Sequence, residues 1–396
     1  MSFKKEQKPA GDTLPEMRLL LGCARGDADP GRLDEAIAGI RDWEAVLQAA
    51  SFHRMVPLLY WRLRDACPGT VPANVTERLR SRFEENARRN LFWVRELRGL
   101  LDLLAGGGVA AIPYKGPLLA EMIYGNLALR DFVDLDILVH ERDFPAAREF
   151  LRRHGFHSAV DIPPGYERAH LKYKGEEIFV RHDKVVVELQ ASPLPWYFAL
   201  PLDPERLWDE LQPVRFAGKD VQTLSPEVLL LILCVHGAKH GWYRLDWLCD
   251  LAGLLRAYPR MEGPRILARA EAWGAGRMLR LGLCLVQQLL GSELPPSLRE
   301  SVAADRSLAA LRADVERRLL HEPPKPITTL ASLRFQVRAL EGVLPKARCL
   351  ARTVLMPTTQ DWKAVRLPPA FAALYYVIRP FRLLREMAGG RIDHPI

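Results

Sequence analysis

Two runs decide how this chain reads: Tyr114-Lys115-Gly116-Pro117-Leu118-Leu119-Ala120-Glu121-Met122-Ile123-Tyr124, and then Arg130-Asp131-Phe132-Val133-Asp134-Leu135-Asp136-Ile137-Leu138-Val139. In the first, Pro117 stands at a first helical position after the Lys115-Gly116 turn, so Leu118–Tyr124 is expected as a helix. A short buried strand, Val109–Pro113, precedes it. In the second, Phe132–Val139 has the composition of a strand. Side chains alternate along a strand, which places Asp134 and Asp136 on one face and Val133, Leu135 and Ile137 on the other. Neighbouring carboxylates on a mostly apolar strand repel each other unless a cation neutralises them. An oxygen-rich pair suits magnesium, which takes one or two protein carboxylates together with phosphate oxygens. Glu188, an isolated charge in the β-branched run Val185–Leu189, is the natural third acid. An Asp pair at a strand end also suits a solvated edge or a salt bridge. The preceding glycine turn and the later strand acid favour the metal site.

Outward from this centre, Phe144–His154 is an amphipathic helix. Short segments at 156–160, 170–174, 178–182 and 185–190 follow, and their turns at Gly175-Glu176 and Asp183-Lys184 suit antiparallel hairpins. Upstream the pattern is helical. Thr13-Leu14-Pro15-Glu16 has capping-box spacing, and Leu91, Val94, Leu97, Leu101 and Leu104 recur at helical intervals. Asp27-Ala28-Asp29-Pro30, Pro68 and Pro72 punctuate it, and Gly106-Gly107-Gly108 ends it. From Leu202 onward helices are expected to return, one opening at Ser225-Pro226-Glu227, with a linker at His321–Pro326. The expectation is an α/β (α+β) core with a mixed sheet and flanking helices over 106–200. Helical regions over 1–105 and 201–396 enclose it.

The composition fits that outline. Of 396 residues, 48% are hydrophobic and 26% charged, which excludes a disordered chain, a collagen-like fibre and a disulfide miniprotein. Lys and Arg number 56 against 48 Asp and Glu, a net +8. That excess suits a polyanion, whether a nucleoside triphosphate, a nucleic acid or an anionic membrane, without choosing among them. The opening MSFKKEQKPAGD lacks the apolar stretch of a signal peptide. Six cysteines are scattered with no CxxC pair, against a zinc knuckle or a disulfide framework. The longest apolar runs, Val228–Val235 and Leu367–Ile378, fall short of the roughly 20 residues a spanning helix needs. A cytoplasmic protein, not integral to a membrane, is expected.

The order of glycine turn, helix, D-x-D strand and later strand acid resembles the nucleotidyltransferase superfamily that includes DNA polymerase beta and kanamycin nucleotidyltransferase. Three blocks are more closely similar to the bacterial uncharacterised nucleotidyltransferase family. They are Lys115–Tyr124, Arg130–Val139 and His236-Gly237-Ala238-Lys239-His240-Gly241-Trp242-Tyr243-Arg244-Leu245-Asp246-Trp247-Leu248-Cys249-Asp250-Leu251. The resemblance implies that Asp134, Asp136 and Glu188 are catalytic and hold Mg2+ or Mn2+. It also implies that Lys115 and Gly116 face the triphosphate, with Arg130 helping to neutralise pyrophosphate, although Arg130-Asp131 equally suits a salt-bridged loop. The implied reaction is in-line attack of a hydroxyl on the α-phosphorus of a nucleoside triphosphate, ATP being the first expectation. The acceptor could be a small molecule, a natural product or a protein. The chain departs from the superfamily in two places. The usual turn serine is replaced by Lys115-Gly116-Pro117, and the third acid is Glu where Asp is commoner. A catalytically degenerate nucleotide-binding or regulatory module is therefore the alternative. A nucleic-acid binder is a further one, for which aromatic interleaving is thin.

His236 and His240, four apart on a helix, share a face. With no HExxH pattern and no third ligand they suit a structural pair; the resemblance instead turns His236, Lys239 and His240 toward the nucleotide. Trp242, Trp247 and Asp250 fall in the following turn and helix, where the two tryptophans suit the core more than base-stacking platforms, and Arg78, Arg80, Arg82, Arg88 and Arg89 are expected on solvated helix faces. The stretch 362–392 carries Lys363, Arg366, Arg379, Arg382, Arg385 and Arg391 against Glu386. It suits a helix packed on the body and ended by Pro380, or peripheral contact with an anionic membrane or a carrier.

Overall fold

In the computed structural model, which describes residues 13–26, 30–66 and 69–388, the first hundred residues form five helices. These are α1 (Pro15–Ala24), α2 (Pro30–Ala38), α3 (Trp43–Phe52), α4 (Val56–Ala66) and α5 (Ala73–Gly106). The readings made at Asp27-Ala28-Asp29, Cys67, Pro68 and Arg391 lie outside the described residues, as does the side chain of Glu386. The capping box expected at Thr13 does not form. Leu14 is the N-cap of α1, and its N–H donates instead to Leu320 O at 2.8 Å. A tertiary contact supplies what the local side chain was expected to give. Along α5 a buried stripe including Leu79, Trp93, Leu97 and Leu104 faces the core. Asn86 and Asn90 interrupt that stripe, and both are buried. Their amides donate to Ala128 O (2.9 Å), Leu127 O (2.7 Å) and Arg130 O (2.8 Å from Asn90). The long helix thereby pins the loop that leads to Asp134.

The central segment contains β1 (Ala111–Pro113), α6 (Gly116–Tyr124), β2 (Leu135–Val139), α7 (Phe144–Arg153), β3 (His157–Ser158), α8 (Glu167–Lys174), β4 (Glu176–Arg181) and β5 (Val185–Gln190). The five strands form a mixed sheet in the order β1-β2-β5-β4-β3. β2 runs parallel to β5, and the other neighbours are antiparallel. The expected strand over 132–139 is shorter by three residues. Its ladder begins at Leu135↔Val187, so Phe132, Val133 and Asp134 have no strand partner. The segment at His170–Lys174, expected to be extended, is the end of helix α8. Gly175 closes it in the left-handed conformation (φ 67°) rather than forming a hairpin turn.

The expectation that only helices follow Leu202 is also corrected. A two-stranded hairpin, β6 (Leu211–Phe216) and β7 (Lys219–Leu224), comes first. Its two-residue turn, Ala217-Gly218, has φ of 46° and 86°, the sign that the mirror-image hairpin turns require. Its outward residues are polar, so no apolar alternation marked it. Thr223 Oγ1 donates to Pro113 O at 2.7 Å, tying β7 to β1.

Ten helices follow among the described residues: α9 (Pro226–Lys239), α10 (Asp246–Ala257), α11 (Gly263–Ala272), α12 (Gly276–Leu290), α13 (Pro296–Ala304), α14 (Leu308–Leu320), α15 (Thr329–Ala339), α16 (Val343–Leu355), α17 (Thr359–Ala364) and α18 (Tyr375–Ala388), of which the six-residue α17 is a single turn and a half. Ser225 caps α9, its hydroxyl accepting from Val228 N. That helix is apolar on all sides and correspondingly buried. One hydrophobic core runs from Met17 on α1 to Cys349 on α16. A smaller aromatic cluster, Tyr166, Trp362 and Tyr375, joins the central segment to the last helices. Pro380 does not end the final helix. The carbonyl its ring spares belongs to the first turn of α18, and Arg379 and Arg382 on either side both grip the buried Asp361 (2.9 and 2.6 Å).

Candidate active site

The turn before α6 brings the backbone of two candidate residues together. Lys115 is the N-cap, and Gly116 has φ +54°. A Cβ at Gly116 would lie 3.0 Å from Asp134 O. Only glycine holds this conformation without strain while the D-x-D loop passes so close. Gly116→Ala is therefore expected to displace Asp134 and reduce transfer about tenfold or more, with a stability loss of about 1–2 kcal/mol from the left-handed backbone. Parallel steady-state rates and thermal melts check it.

The acids meet across the parallel strand pair. Asp136 and Glu188 are register partners on β2 and β5. Gln190, two residues beyond Glu188 and on the same face, donates from Nε2 to Asp136 Oδ1 (3.3 Å) and Glu188 Oε2 (3.2 Å). Its carbonyl accepts from the buried Tyr114 hydroxyl, which fixes the amide. Lys115 Nζ reaches Asp136 Oδ1 at 3.1 Å. Burial opposes the Lys115 charge, but Asp136 and Glu188 outweigh it and hold the ammonium well above its usual range. Asp134 precedes the strand. Burial, then Asp136, raises its carboxyl. Burial, then Asp136 and Glu176, pushes Glu188 up to about 8.

Arg130 is turned elsewhere. Its Nε and Nη2 donate to the buried Asp250 on α10, each at 2.8 Å, and Nη1 donates to Gly116 O at 3.3 Å. It braces the glycine turn from behind. Neighbouring Asp131 pairs with Arg89 at 2.7 Å.

A cavity of about 180 Å³ opens at Glu188; Asp134 and Asp136 stand behind its lining. Lys115 and Glu188 line it, joined by Lys174 and Glu176 at the α8–β4 corner and by His236, Lys239 and His240 at the end of α9. Burial lowers both imidazoles well below their usual range, aided at His236 by Lys115 and at His240 by Lys239. Both are neutral at pH 7. They lie 4.8 Å apart between ring centres, and His240 stacks on Trp247. Three lysines around one concavity suit a polyphosphate. A second cavity of similar size shares Trp196, Tyr197, Lys239 and His240 with the first. It continues between α9, α15 and α16 past Tyr243, Ile327 and Leu333.

The donor chemistry of Asp134, Asp136 and Glu188 fits a hard divalent cation. All three are oxygen ligands, and two, Asp134 and Glu188, are pushed toward protonation first by burial and then by the neighbouring Asp136 charge, which a cation would offset. Among the described residues no three or more His, Cys, Asp or Glu side chains form a ready-made ion cage. Lys115 stands on Asp136 instead. Because the raised Glu188 binds its proton more tightly folded than unfolded, its ionisation removes stability as pH rises from about 4.5 through about 8. Glu188→Gln is expected to melt higher than wild type at pH 8 and equally at pH 4. Magnesium should raise the wild-type midpoint at pH 8 and not that of the variant. Thermal scans across pH check both.

Gln190 escaped the sequence reading although the period of two from Glu188 marks its face. Tyr114, Lys174 and Glu176 escaped it too. The last two lie where a hairpin was expected, so their approach to the cavity carried no local signal.

Comparison with known proteins places these features. Among curated proteins none matches the chain. A crystal structure of an antigenic nucleotidyltransferase-like protein from Paracoccidioides brasiliensis is 16% identical, covering 54% of this chain and 92% of that one, with a TM-score of 0.34. The family model described as uncharacterised nucleotidyltransferase matches residues 40–291, a span that holds the glycine turn, all three acids and the α9 end of the cavity. The chain belongs to the uncharacterised nucleotidyltransferase family.

Proposed function

We propose that the protein transfers a nucleoside monophosphate from a nucleoside triphosphate, ATP in the first instance, to a hydroxyl of an acceptor. Family membership supports a nucleotidyl-transfer role. The observation that carries the finer reading is one cavity lined by Lys115, Lys174, Lys239 and Glu188, whose register partner on the neighbouring strand is Asp136. The lysines bind the triphosphate, and the backbone N–H groups opening α6 add to that field, apart from Pro117, which has none. Asp134, Asp136 and Glu188 would hold Mg2+ or Mn2+, which when bound neutralises charge on the reacting phosphate oxygens.

The acceptor oxygen forms a bond to the α-phosphorus as the bond from that phosphorus to the bridging oxygen breaks, and pyrophosphate leaves. Glu188, whose carboxyl titrates near the operating pH, takes the hydroxyl proton. The neutral His236 and His240 orient by hydrogen bonding rather than by charge. Arg130 positions Gly116. The adjoining cavity past Tyr243 and Leu333 offers the acceptor a place beside the triphosphate.

Incubation with magnesium, cell extract and ATP labelled at either the α- or the γ-phosphate tests this reading. Covalent label from the α-position alone supports it. Label from the γ-position would mean phosphoryl transfer. Triphosphate binding without any label in an extract that contains the acceptor would favour the degenerate binding module.

A further inference from the structure

Residues 330–385 contain ten Lys or Arg against two acids, so this stretch alone carries +8, the formal net charge of the whole chain. Both acids are engaged within the fold. Glu341 pairs with Arg280, and Asp361 is buried with Arg379 and Arg382. Exposed basic side chains remain on several elements, among them Arg334, Arg348, Lys363, Arg366 and Arg385.

Among the described residues, the same stretch holds most of the exposed large apolar side chains. Among the described residues, the large apolar side chains left exposed outside it are Leu91, Phe92 and Val133. On α16, Val343, Leu344, Leu350, Val354 and Leu355 recur along one face. On α18, Val377, Phe381 and Leu384 do the same, extended by Phe371 and Leu374 just before the helix. Phe381 is 68% exposed and Val343 84%. The two helices are joined by Arg379, which donates to Thr353 O at 2.7 Å.

We propose that this face docks the protein on the surface of an anionic lipid bilayer. Phe381, Leu384 and their neighbours enter the headgroup–acyl boundary while the flanking Lys and Arg side chains meet lipid phosphates. Charge complementarity selects this occupant. Protein interfaces are depleted of charged residues at their centres; here Arg366 meets Asp161 at 3.9 Å and Arg338 meets Asp314 at 3.8 Å, while Arg334, Arg348, Lys363 and Arg385 stand exposed among the apolar side chains. Thr353 and Arg379, on the same two helices, also wall the second cavity. A docked protein thus holds that cavity close to the membrane. Docking does not depend on the transfer reaction and is measured without nucleotide.

The test is co-sedimentation of the full chain with vesicles of phosphatidylcholine alone or mixed equally with phosphatidylglycerol, at low and high salt. Wild type is expected to sediment with the mixed vesicles at low salt, less at high salt, and not with phosphatidylcholine alone. Phe381→Ser/Leu384→Ser and Lys363→Glu/Arg385→Glu change exposed side chains, so melting curves should be unaltered. Each should weaken partitioning about tenfold or more. The proposal is overturned if wild type ignores anionic vesicles, if both variants partition as wild type does, or if the protein forms a dimer that Phe381→Ser/Leu384→Ser abolishes while vesicles go unbound. That last result would assign the face to a second copy.

Discussion

Asp136→Asn is expected to lower nucleotidyl transfer by about 10²–10³-fold with little loss of fold. Asp136 is the most connected of the acids. It is the strand partner of Glu188, takes the ammonium of Lys115 at 3.1 Å, and shares the Gln190 amide with Glu188. Its charge also raises the carboxyls of Asp134 and Glu188. Removing that charge deprives a cation of its central ligand while relieving repulsion in the metal-free protein. The Lys115 ammonium, buried and left with only Glu188 to face it, offsets that relief, so the melting temperature should fall modestly while activity falls steeply. Triphosphate binding should weaken far less than turnover, because Lys115, Lys174 and Lys239 remain. Calorimetric titration beside turnover assays separates the two effects, and unchanged turnover would remove Asp136 from the mechanism.

Arg130→Ala is expected to be the most destabilising of these substitutions, by about 3–5 kcal/mol. The loss comes from Asp250, which is 3% exposed and would remain buried without its bidentate partner. Gly116 O loses its donor in the same step, so activity should fall together with stability. At about 2–4 °C for each kcal/mol, the melting midpoint should drop by several degrees or more. Adding Asp250→Ala should restore part of the loss, since the uncompensated charge is gone. A triphosphate ligand would behave differently. Arg130→Ala would then weaken nucleotide binding without changing the melting curve.

These residues also show what a sequence reading reaches. The glycine turn, helix and acid-bearing strand were legible because each signal is local: a Gly-Pro helix start, an alternating strand, a single charge in a β-branched run. The length of the D-x-D strand was not, because where a strand begins is set by its pairing: the β2–β5 ladder starts only at Leu135↔Val187, although β5 itself begins two residues earlier at Val185. The β6–β7 hairpin was missed because its alternation is polar and its turn pairs alanine with a glycine rather than the usual Asn-Gly. The brace behind Gly116 joins residues 120 apart, a pairing that spacing and composition do not encode. Lys174 and Glu176 reach the cavity only because α8 ends at Gly175 and turns directly into β4. The net charge gave the least guidance to the site. The stretch that carries it lies beyond the family match, which ends at residue 291.

The proposed transfer turns on divalent metal held by Asp134, Asp136 and Glu188 beside a triphosphate bound by the lysines. In crystals soaked with Mn2+ and an α,β-methylene nucleoside triphosphate, the anomalous signal of manganese should show a peak among the three carboxylates, with Lys115 Nζ moved from Asp136 toward phosphate and the triphosphate running past Lys174 and Lys239. A triphosphate bound elsewhere, or bound in this cavity with Lys115 still on Asp136 and no manganese at the acids, would contradict it.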